Sequence, residues 1–263
     1  MPLRLPRRAL VLGGGVAAAV GWTEGLWPIL SGSRALDDIE FRPIDGMPGY
    51  RQVASSAATS GGFDPFVGLQ VPDAVGHKNT PDPVIPNDPC TALYGDDFDT
   101  RVPLAVFTDY NCPYCRVLDR RLLRLADQRA SEITLKVHQL PLLGEASLWG
   151  ARGALAAGQQ DAYIAFHNRL MGAAFLIEPN YLREVAKSMN LDGDQLMQDA
   201  TGPEVSRQIA ESRSFATRLG IIGTPGTLVG RTLVMGNVTD ALLERLIQLE
   251  ADEGSAPNCA AFA

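Results

Sequence analysis

The alternation of apolar and polar residues predicts an α/β core that begins near residue 101. Residues 102–108, VPLAVFT, are apolar and β-branched almost without interruption, as expected of a strand covered on both faces. Residues 115–128 carry an apolar stripe at helical spacing, with Asp119 and several arginines on the opposite, outward face. Residues 133–140 alternate apolar and polar side chains, which is typical of a half-exposed strand. The predicted order is therefore strand, helix, strand.

A helical block and two short strands follow. Residues 145–219 contain successive helical patterns separated by Gly, Pro and Asn, which predicts a helical insertion. Strands are expected at 227–229 and 232–235. They are joined by Gly230 and Arg231, a two-residue loop with glycine first that suits a type II′ hairpin turn.

A final helix closes this region. Thr239 can cap the helix, and four leucines between 242 and 249 form one face of it. We therefore predict one α/β domain over residues 101–252 and a short tail over residues 253–263. The predicted order is β-α-β, a helical block, then β-β-α.

The segment before this domain has a different character. Residues 31–100 show no sustained period and are rich in Gly and Pro, which predicts an extended arm. The apolar residues between 63 and 71 are sufficient for the arm to dock on another surface. We expect such docking, on a partner surface or on the protein's own body, rather than a wholly free tail.

Residues 1–30 have the features of an export segment. Three arginines precede an apolar run from residue 9 to residue 30, and no acidic residue occurs before Glu24. A helix packed on a soluble domain usually mixes charge signs. Ala17–Ala19 offers a cleavage site, while the uncleaved run could just span a bilayer. We expect a periplasmic or otherwise extracytoplasmic protein, released or anchored through residues 9–30.

Charge and cysteine content narrow the possible functions. The chain has 23 basic and 30 acidic residues and a net charge of -7, which argues against nucleic acid as a partner. Its four cysteines divide into a close pair, Cys112 and Cys115, and two isolated residues, Cys90 and Cys259. Disulfides persist outside the cytoplasm.

The isolated cysteines are expected to form a structural disulfide. Pairing Cys90 with Cys259 closes a loop of about 170 residues, which constrains the unfolded chain by about 4 to 5 kcal/mol on the chain-entropy model. The alternative is a second redox pair that relays electrons to the close pair.

The close pair is Cys112-Pro113-Tyr114-Cys115, at the junction between the first strand and its helix. The unpaired N–H groups and positive dipole end of a helix N-terminus stabilise a thiolate on Cys112. Pro113 fits the first helical turn, and Cys115, one turn later, can attack a mixed disulfide formed by Cys112. We predict Cys112 as nucleophile and Cys115 as resolving thiol, with Pro113 and Tyr114 tuning the pair and no cofactor.

A metal site is not expected. Structural zinc usually needs two such cysteine pairs, or one pair with closely spaced histidines, and His77, His138 and His167 follow no recognised spacing. A purely structural bridge within so short a motif would close a tiny loop and stabilise little. We expect His138 and His167 on the surface, and Asp109 as a capping residue rather than an acid catalyst.

Three motifs resemble the DsbA-like branch of the thioredoxin superfamily. They are FTDYNCPYC at 107–115, PLLGEASLWGARGALAAG at 141–158 and GIIGTPGTLVG at 220–230. The resemblance covers residues 102–250 and implies an α/β, thioredoxin-like fold with an inserted helical domain. It also implies that the Thr224-Pro225 bond is cis and that its loop faces the cysteine pair and binds an incoming substrate chain.

The resemblance implies a protein thiol-disulfide oxidoreductase that acts on exported, cysteine-containing client proteins. Its electrons would pass to a quinone-linked membrane oxidase if it is an oxidase. They would come from a membrane reductase if it is an isomerase or reductase. Val106 stands where related proteins carry a buried acid, so proton transfer must use water, Lys136 or another group. The dipeptide Pro113-Tyr114 between the cysteines, together with Thr224 before Pro225, is similar to the corresponding residues of periplasmic disulfide isomerases.

The irregular arm bears on whether the protein is an oxidase or an isomerase. Those isomerases place a dimerisation domain ahead of the catalytic one, and residues 31–100 are too irregular for such a domain, which favours a monomeric oxidase. A rival from another class is a copper(I) carrier with a thioredoxin fold, because soft thiolates suit that ion. No Met-rich or His-rich tract lies near the pair in the sequence, which argues against this rival.

Overall fold

A computed structural model describes residues 39–54, 86–96, 98, 101–173, 177–254, 257 and 259–262. The predicted export segment and the apolar stretch at 63–71 lie outside these residues. Among the helices described, none is both long enough and apolar enough to cross a membrane.

The element order predicted for the α/β core is confirmed. The strands are β1 Phe41–Pro43, β2 Arg51–Val53, β3 Val102–Thr108, β4 Ile133–Gln139, β5 Gly226–Val229 and β6 Thr232–Met235. The helices are α1 Pro89–Tyr94, α2 Pro113–Gln128, α3 Glu145–Gly158, α4 Tyr163–Met171, α5 Pro179–Ser188, α6 Gly193–Ala200, α7 Pro203–Arg218 and α8 Asp240–Glu253. A 3-10 turn at Cys259–Phe262 follows. The hydroxyl of Thr239 caps α8 by accepting the Leu242 N–H.

The six strands form one sheet in the order β1-β2-β6-β5-β3-β4. β3 pairs in parallel with β4 and antiparallel with β5, so Val106 lies between Val137 and Thr227. Almost every residue of β3 is buried, because the strand is central and covered on both faces. Its carboxyl end leads directly to the cysteine pair.

The predicted arm contains regular structure where it is described. β2 pairs in parallel with β6 and antiparallel with β1, so two short strands extend the sheet beyond β6. Ile44, Met47 and Tyr50 from the connecting turn are buried in the core, and so are Leu93 and Tyr94 of α1. Strands of three residues are too short to give a periodic signal, so this part of the sheet was not predicted.

Glu250 of α8 holds these added strands to the sheet. Its buried carboxylate accepts hydrogen bonds from Arg51 at 3.1 Å, the Thr232 hydroxyl at 2.6 Å and the Arg231 N–H at 3.1 Å. Gly230 sits against the same carboxylate with φ of +52°, and a side chain there would collide with Glu250. This close approach explains the glycine in the hairpin loop.

A disulfide joins α1 to the C-terminal tail. Cys90 and Cys259 have an S–S distance of 1.99 Å and lie 169 residues apart in the chain. Phe262 packs edge-on against Tyr50 and Phe215, with ring centroids 5.4 and 5.2 Å apart. The tail is therefore part of the same core as the arm.

Helices α3 to α7 form the insertion between β4 and β5. Their apolar faces build a second buried cluster around Phe166, Leu182 and Leu196. Tyr110, from the connection between β3 and α2, belongs to this cluster. A side chain at Gly150 of α3 would clash with the Tyr110 ring, so this glycine allows the insertion to approach the strand–helix junction closely.

Candidate redox site

Cys112 occupies the N-cap position of α2, immediately after the connection from β3. Its sulfur accepts the backbone N–H of Cys115 at 3.1 Å, which satisfies one of the free donors at the helix N-terminus. Pro113, at the first helical position, lacks the N–H that would otherwise need an acceptor. The geometry places an electron-rich sulfur at the positive end of the helix dipole.

The two thiols have different surroundings. Both are free cysteines, and both are fully buried. Burial raises the pKa of the Cys115 thiol far above its ordinary value, the hydrogen bond to Cys112 raises it further, and the Thr224 side chain acts in the opposite direction. Cys115 is therefore the sulfur that retains its proton.

The loop before β5 reaches the first cysteine. The peptide bond between Thr224 and Pro225 is cis. The Cys112 thiol donates to the carbonyl oxygen of Thr224 at 3.4 Å. The Pro225 carbonyl accepts the Gly236 N–H at 2.8 Å, which ties the loop to the segment after β6. The structure thus brings together Cys112, Cys115 and Thr224.

Asp109 organises the loops around the pair. Its buried carboxylate accepts the N–H groups of Asn111 at 2.8 Å, Leu142 at 2.7 Å and Leu143 at 3.0 Å. It also accepts the Ser147 hydroxyl at 2.6 Å. One carboxylate therefore fixes the turn before Cys112 and the loop between β4 and α3.

Large apolar side chains are exposed on the elements that carry the pair. Tyr114 and Val117 of α2 expose 37% and 41% of their surface. Leu142, in the loop held by Asp109, exposes 42%, and Ile222, before Thr224, exposes 74%. These residues offer apolar contacts to an approaching chain.

The prediction that His138 faces solvent is wrong. Its Nε2 lies 2.9 Å from the Leu93 carbonyl and its Nδ1 lies 3.2 Å from the Ser212 hydroxyl. The ring stacks on Phe107 with centroids 4.7 Å apart. Burial lowers the pKa of His138 to about 4, so the ring is neutral near pH 7. The half-exposed pattern of β4 failed because α1 and α7 also cover this end of the strand.

The surface positions predicted for His167 and Asp119 are also wrong. His167 is 0% exposed and Asp119 only 1%. His167 Nε2 lies 2.8 Å from Asp119 Oδ2, and its Nδ1 lies 2.7 Å from the Tyr110 hydroxyl. Asp119 lies four residues after buried Cys115 and three before buried Leu122, and this spacing was the available signal for its burial.

The two positions discussed for proton transfer, Val106 and Lys136, lie on neighbouring strands. Val106 is buried in the middle of β3, and Lys136 is exposed on β4 opposite Ala105, three residues before the end of β4. Within the described ranges, no three His, Cys, Asp or Glu side chains are grouped so as to hold a metal ion.

Comparison with known proteins gives concordant matches. A family model described as the DSBA-like thioredoxin domain matches residues 104–248. A thioredoxin-like oxidoreductase from Silicibacter pomeroyi DSS-3 is 35% identical with a TM-score of 0.56, and the match covers 62% of this chain and 97% of that one.

Two further solved structures are similar. The catalytic domain of Proteus mirabilis ScsC is 27% identical, with a TM-score of 0.54 over 62% of this chain and 94% of that one. A periplasmic thioredoxin-like protein from Salmonella enterica serovar Typhimurium is 25% identical, with a TM-score of 0.54 over 62% of this chain and 95% of that one. No curated protein matches this chain.

Proposed function

Because the chain belongs to the DSBA-like thioredoxin domain family and is a thiol-disulfide oxidoreductase, we propose that Cys112 and Cys115 are its redox pair and that it forms disulfides in exported proteins. The observation that carries this proposal is the N-cap position of Cys112, whose sulfur accepts the Cys115 N–H at 3.1 Å. This arrangement stabilises charge on one sulfur while its neighbour stays protonated.

The reaction begins from the oxidised pair. A client thiolate attacks Cys112, the bond between Cys112 and Cys115 breaks, and Cys115 leaves and takes up a proton. A second client thiolate then attacks the client sulfur of the mixed disulfide, which releases a client disulfide and the Cys112 thiolate. The client loses two electrons and two protons, and a membrane oxidase linked to quinone accepts the electrons from the reduced pair.

The surface around the pair suits an unfolded client. Tyr114 and Ile222 provide exposed apolar contacts beside the reacting sulfur. Thr224 and Pro225 are proposed to position the client backbone, and the short contact between the Thr224 carbonyl and Cys112 supports this role. Because both sulfurs are buried, Cys112 must become accessible during exchange.

We propose the following domain organisation for this function. Residues 1–30 direct export and either are cleaved or anchor the protein, and residues 31–100 form an arm that docks on the domain at 101–252. Residues 253–263 form the C-terminal tail that follows the domain. The periplasmic location of the Salmonella enterica relative supports an extracytoplasmic site of action.

The reduction potential of the pair tests the direction of electron flow. The full chain is equilibrated in glutathione buffers, and free thiols are alkylated and counted by mass spectrometry. A potential near about -120 mV, with faster disulfide formation in a reduced client protein, supports the oxidase, whereas a value near about -270 mV points to a reductase. Rescue of a client with scrambled disulfides, without net oxidation, would instead indicate an isomerase.

Matched variants assign the two cysteines. Cys112→Ser is expected to abolish exchange, and Cys115→Ser is expected to accumulate a mixed disulfide between Cys112 and the client. If the wild-type pair exchanged with no thiol at all, the oxidase would be refuted and copper(I) titration would test the carrier.

A further inference from the structure

A buried chain of polar side chains links the redox helix to the helical insertion. Asp119 of α2 contacts His167 of α4, and His167 contacts the Tyr110 hydroxyl, two residues before Cys112. The Asp119, His167 and Tyr110 side chains are all buried. The redox reaction described above does not use any of them.

Each link in this chain is a short polar contact. The side-chain N–H of Gln139 donates to the Tyr110 hydroxyl at 3.2 Å, and the same hydroxyl lies 2.7 Å from His167 Nδ1. His167 Nε2 lies 2.8 Å from Asp119 Oδ2. His167 therefore bridges the Tyr110 hydroxyl and the Asp119 carboxylate.

The charge of Asp119 is only partly satisfied. Its Oδ1 is buried and has no hydrogen-bond partner among the described residues. The negative charge of Asp119 contributes to the raised pKa of both Tyr110 and Tyr163, although burial is the larger cause for each. A carboxylate with one free oxygen in an apolar setting acts strongly on nearby ionisable groups.

Asp119 lies one helical turn after Cys115. Residues four apart share a face of a helix, so Asp119 and Cys115 lie on the same buried face of α2. Two other charged side chains near the pair have hydrogen-bond partners of their own. Arg116 donates to the carbonyls of Tyr110 and Ala173, and the Asp109 carboxylate accepts four donors.

We propose that Asp119, held by His167, opposes thiolate formation at Cys112 and Cys115 and thereby lowers the reduction potential of the pair. This inference rests on the proposed redox role of the two cysteines. Asp119 touches no client and acts through its charge. The helical insertion, which supplies His167, therefore helps to set the reduction potential of the pair and makes it less oxidising.

The test compares reduction potentials and thiolate titrations of full-length variants. Asp119→Asn removes the charge, and we expect the equilibrium constant for exchange with glutathione to shift about tenfold toward the reduced protein, which is about 30 mV. The pKa of Cys112, measured by thiolate absorbance, should fall in the same variant. Asp119→Glu keeps the charge and should stay close to the wild type in both measurements.

Two further variants separate the effect of the Asp119 charge from the effect of the hydrogen-bond chain. Tyr110→Phe breaks the hydrogen-bond chain but keeps the carboxylate. The equilibrium constant for exchange with glutathione should therefore change less than twofold. The double variant Asp119→Leu/His167→Leu replaces the buried pair by apolar groups, which is often tolerated, and should reproduce the shift of Asp119→Asn even if that variant folds poorly.

The outcomes distinguish this inference from the function on which it rests. Reversible exchange with an unchanged potential in both charge-removing variants would overturn the role of Asp119 and leave the redox pair intact. Absence of reversible exchange in the wild-type protein would refute the redox function itself.

Discussion

The Cys112 thiol donates a hydrogen bond to the carbonyl oxygen of Thr224, 3.4 Å from its sulfur. The side chain of Thr224 also interacts with the neighbouring sulfur, where it lowers the pKa of Cys115 against the effect of burial. One residue of the β5 loop therefore contacts both members of the pair.

Replacing Thr224 with Val should slow the attack of Cys115. The hydroxyl that stabilises the Cys115 thiolate is lost, and a hydrogen bond to a charged group of about 1.5 kcal/mol corresponds to about a tenfold lower rate. The measurement is the release of glutathione from a mixed disulfide at Cys112. Thr224→Ser keeps the hydroxyl and serves as control, and equal rates for the Val and Ser variants would exclude this role.

Asp109→Asn should destabilise the protein. The buried carboxylate accepts four hydrogen bonds, and an amide offers the Leu142 and Leu143 N–H groups a weaker, uncharged acceptor while adding two donors. We expect a loss of about 2 to 4 kcal/mol in the free energy of unfolding, measured by urea denaturation. Ser147→Ala removes only one donor and should cost about 1 kcal/mol. Similar losses in both variants would contradict a central role for the carboxylate.

Removing the disulfide should lower stability without affecting exchange. Cys90→Ser combined with Cys259→Ser frees a loop of 169 residues, and we expect the free energy of unfolding to fall by about 2 to 5 kcal/mol. Denaturant titration measures the loss, and oxidation of a reduced client measures activity. If the variant were as stable as the wild type but could no longer be reoxidised, the bridge would be an electron relay instead.

The sequence was most informative where patterns are long or chemically specific. The six apolar residues of β3 and the extended stripe of α2 predicted the strand–helix junction, and Cys112 with Cys115 predicted its chemistry. The three-residue strands β1 and β2 are too short to show a period. Pairing of β2 with β6 and the hydrogen bonds of Glu250 stabilise this part of the sheet, and local strand preference contributes little.

The buried polar residues were missed for a related reason. His138 and His167 occupy positions that a single strand or helix leaves exposed, and helices distant in sequence bury them. The sequence pattern places Asp119 on the polar face of α2, yet its spacing from Cys115 matches the buried stripe. Burial of such residues depends on contacts between elements, which one element's pattern does not contain.

His138 makes stability depend on pH. The folded protein holds the pKa of His138 at about 4, below the value of 6.5 expected for an unfolded chain, so the unfolded state binds the proton first as pH falls. Stability from this group is complete above pH 6.5 and declines between pH 6.5 and about 4, by about 1.4 kcal/mol per pH unit at most. Below about pH 4 this contribution changes no further.

The matched variant is His138→Gln, which cannot titrate and still offers an N–H to the Leu93 carbonyl. Urea denaturation of both proteins between pH 4 and 7.5 gives the free energy of unfolding at each pH. Carboxylates titrate alike in the two proteins, so the difference isolates the histidine. We expect the wild type to lose more stability than the variant as pH falls from 6.5 to 4, because only the wild type must exclude a proton from this site. Parallel profiles would mean that His138 binds a proton equally well in the folded and unfolded states.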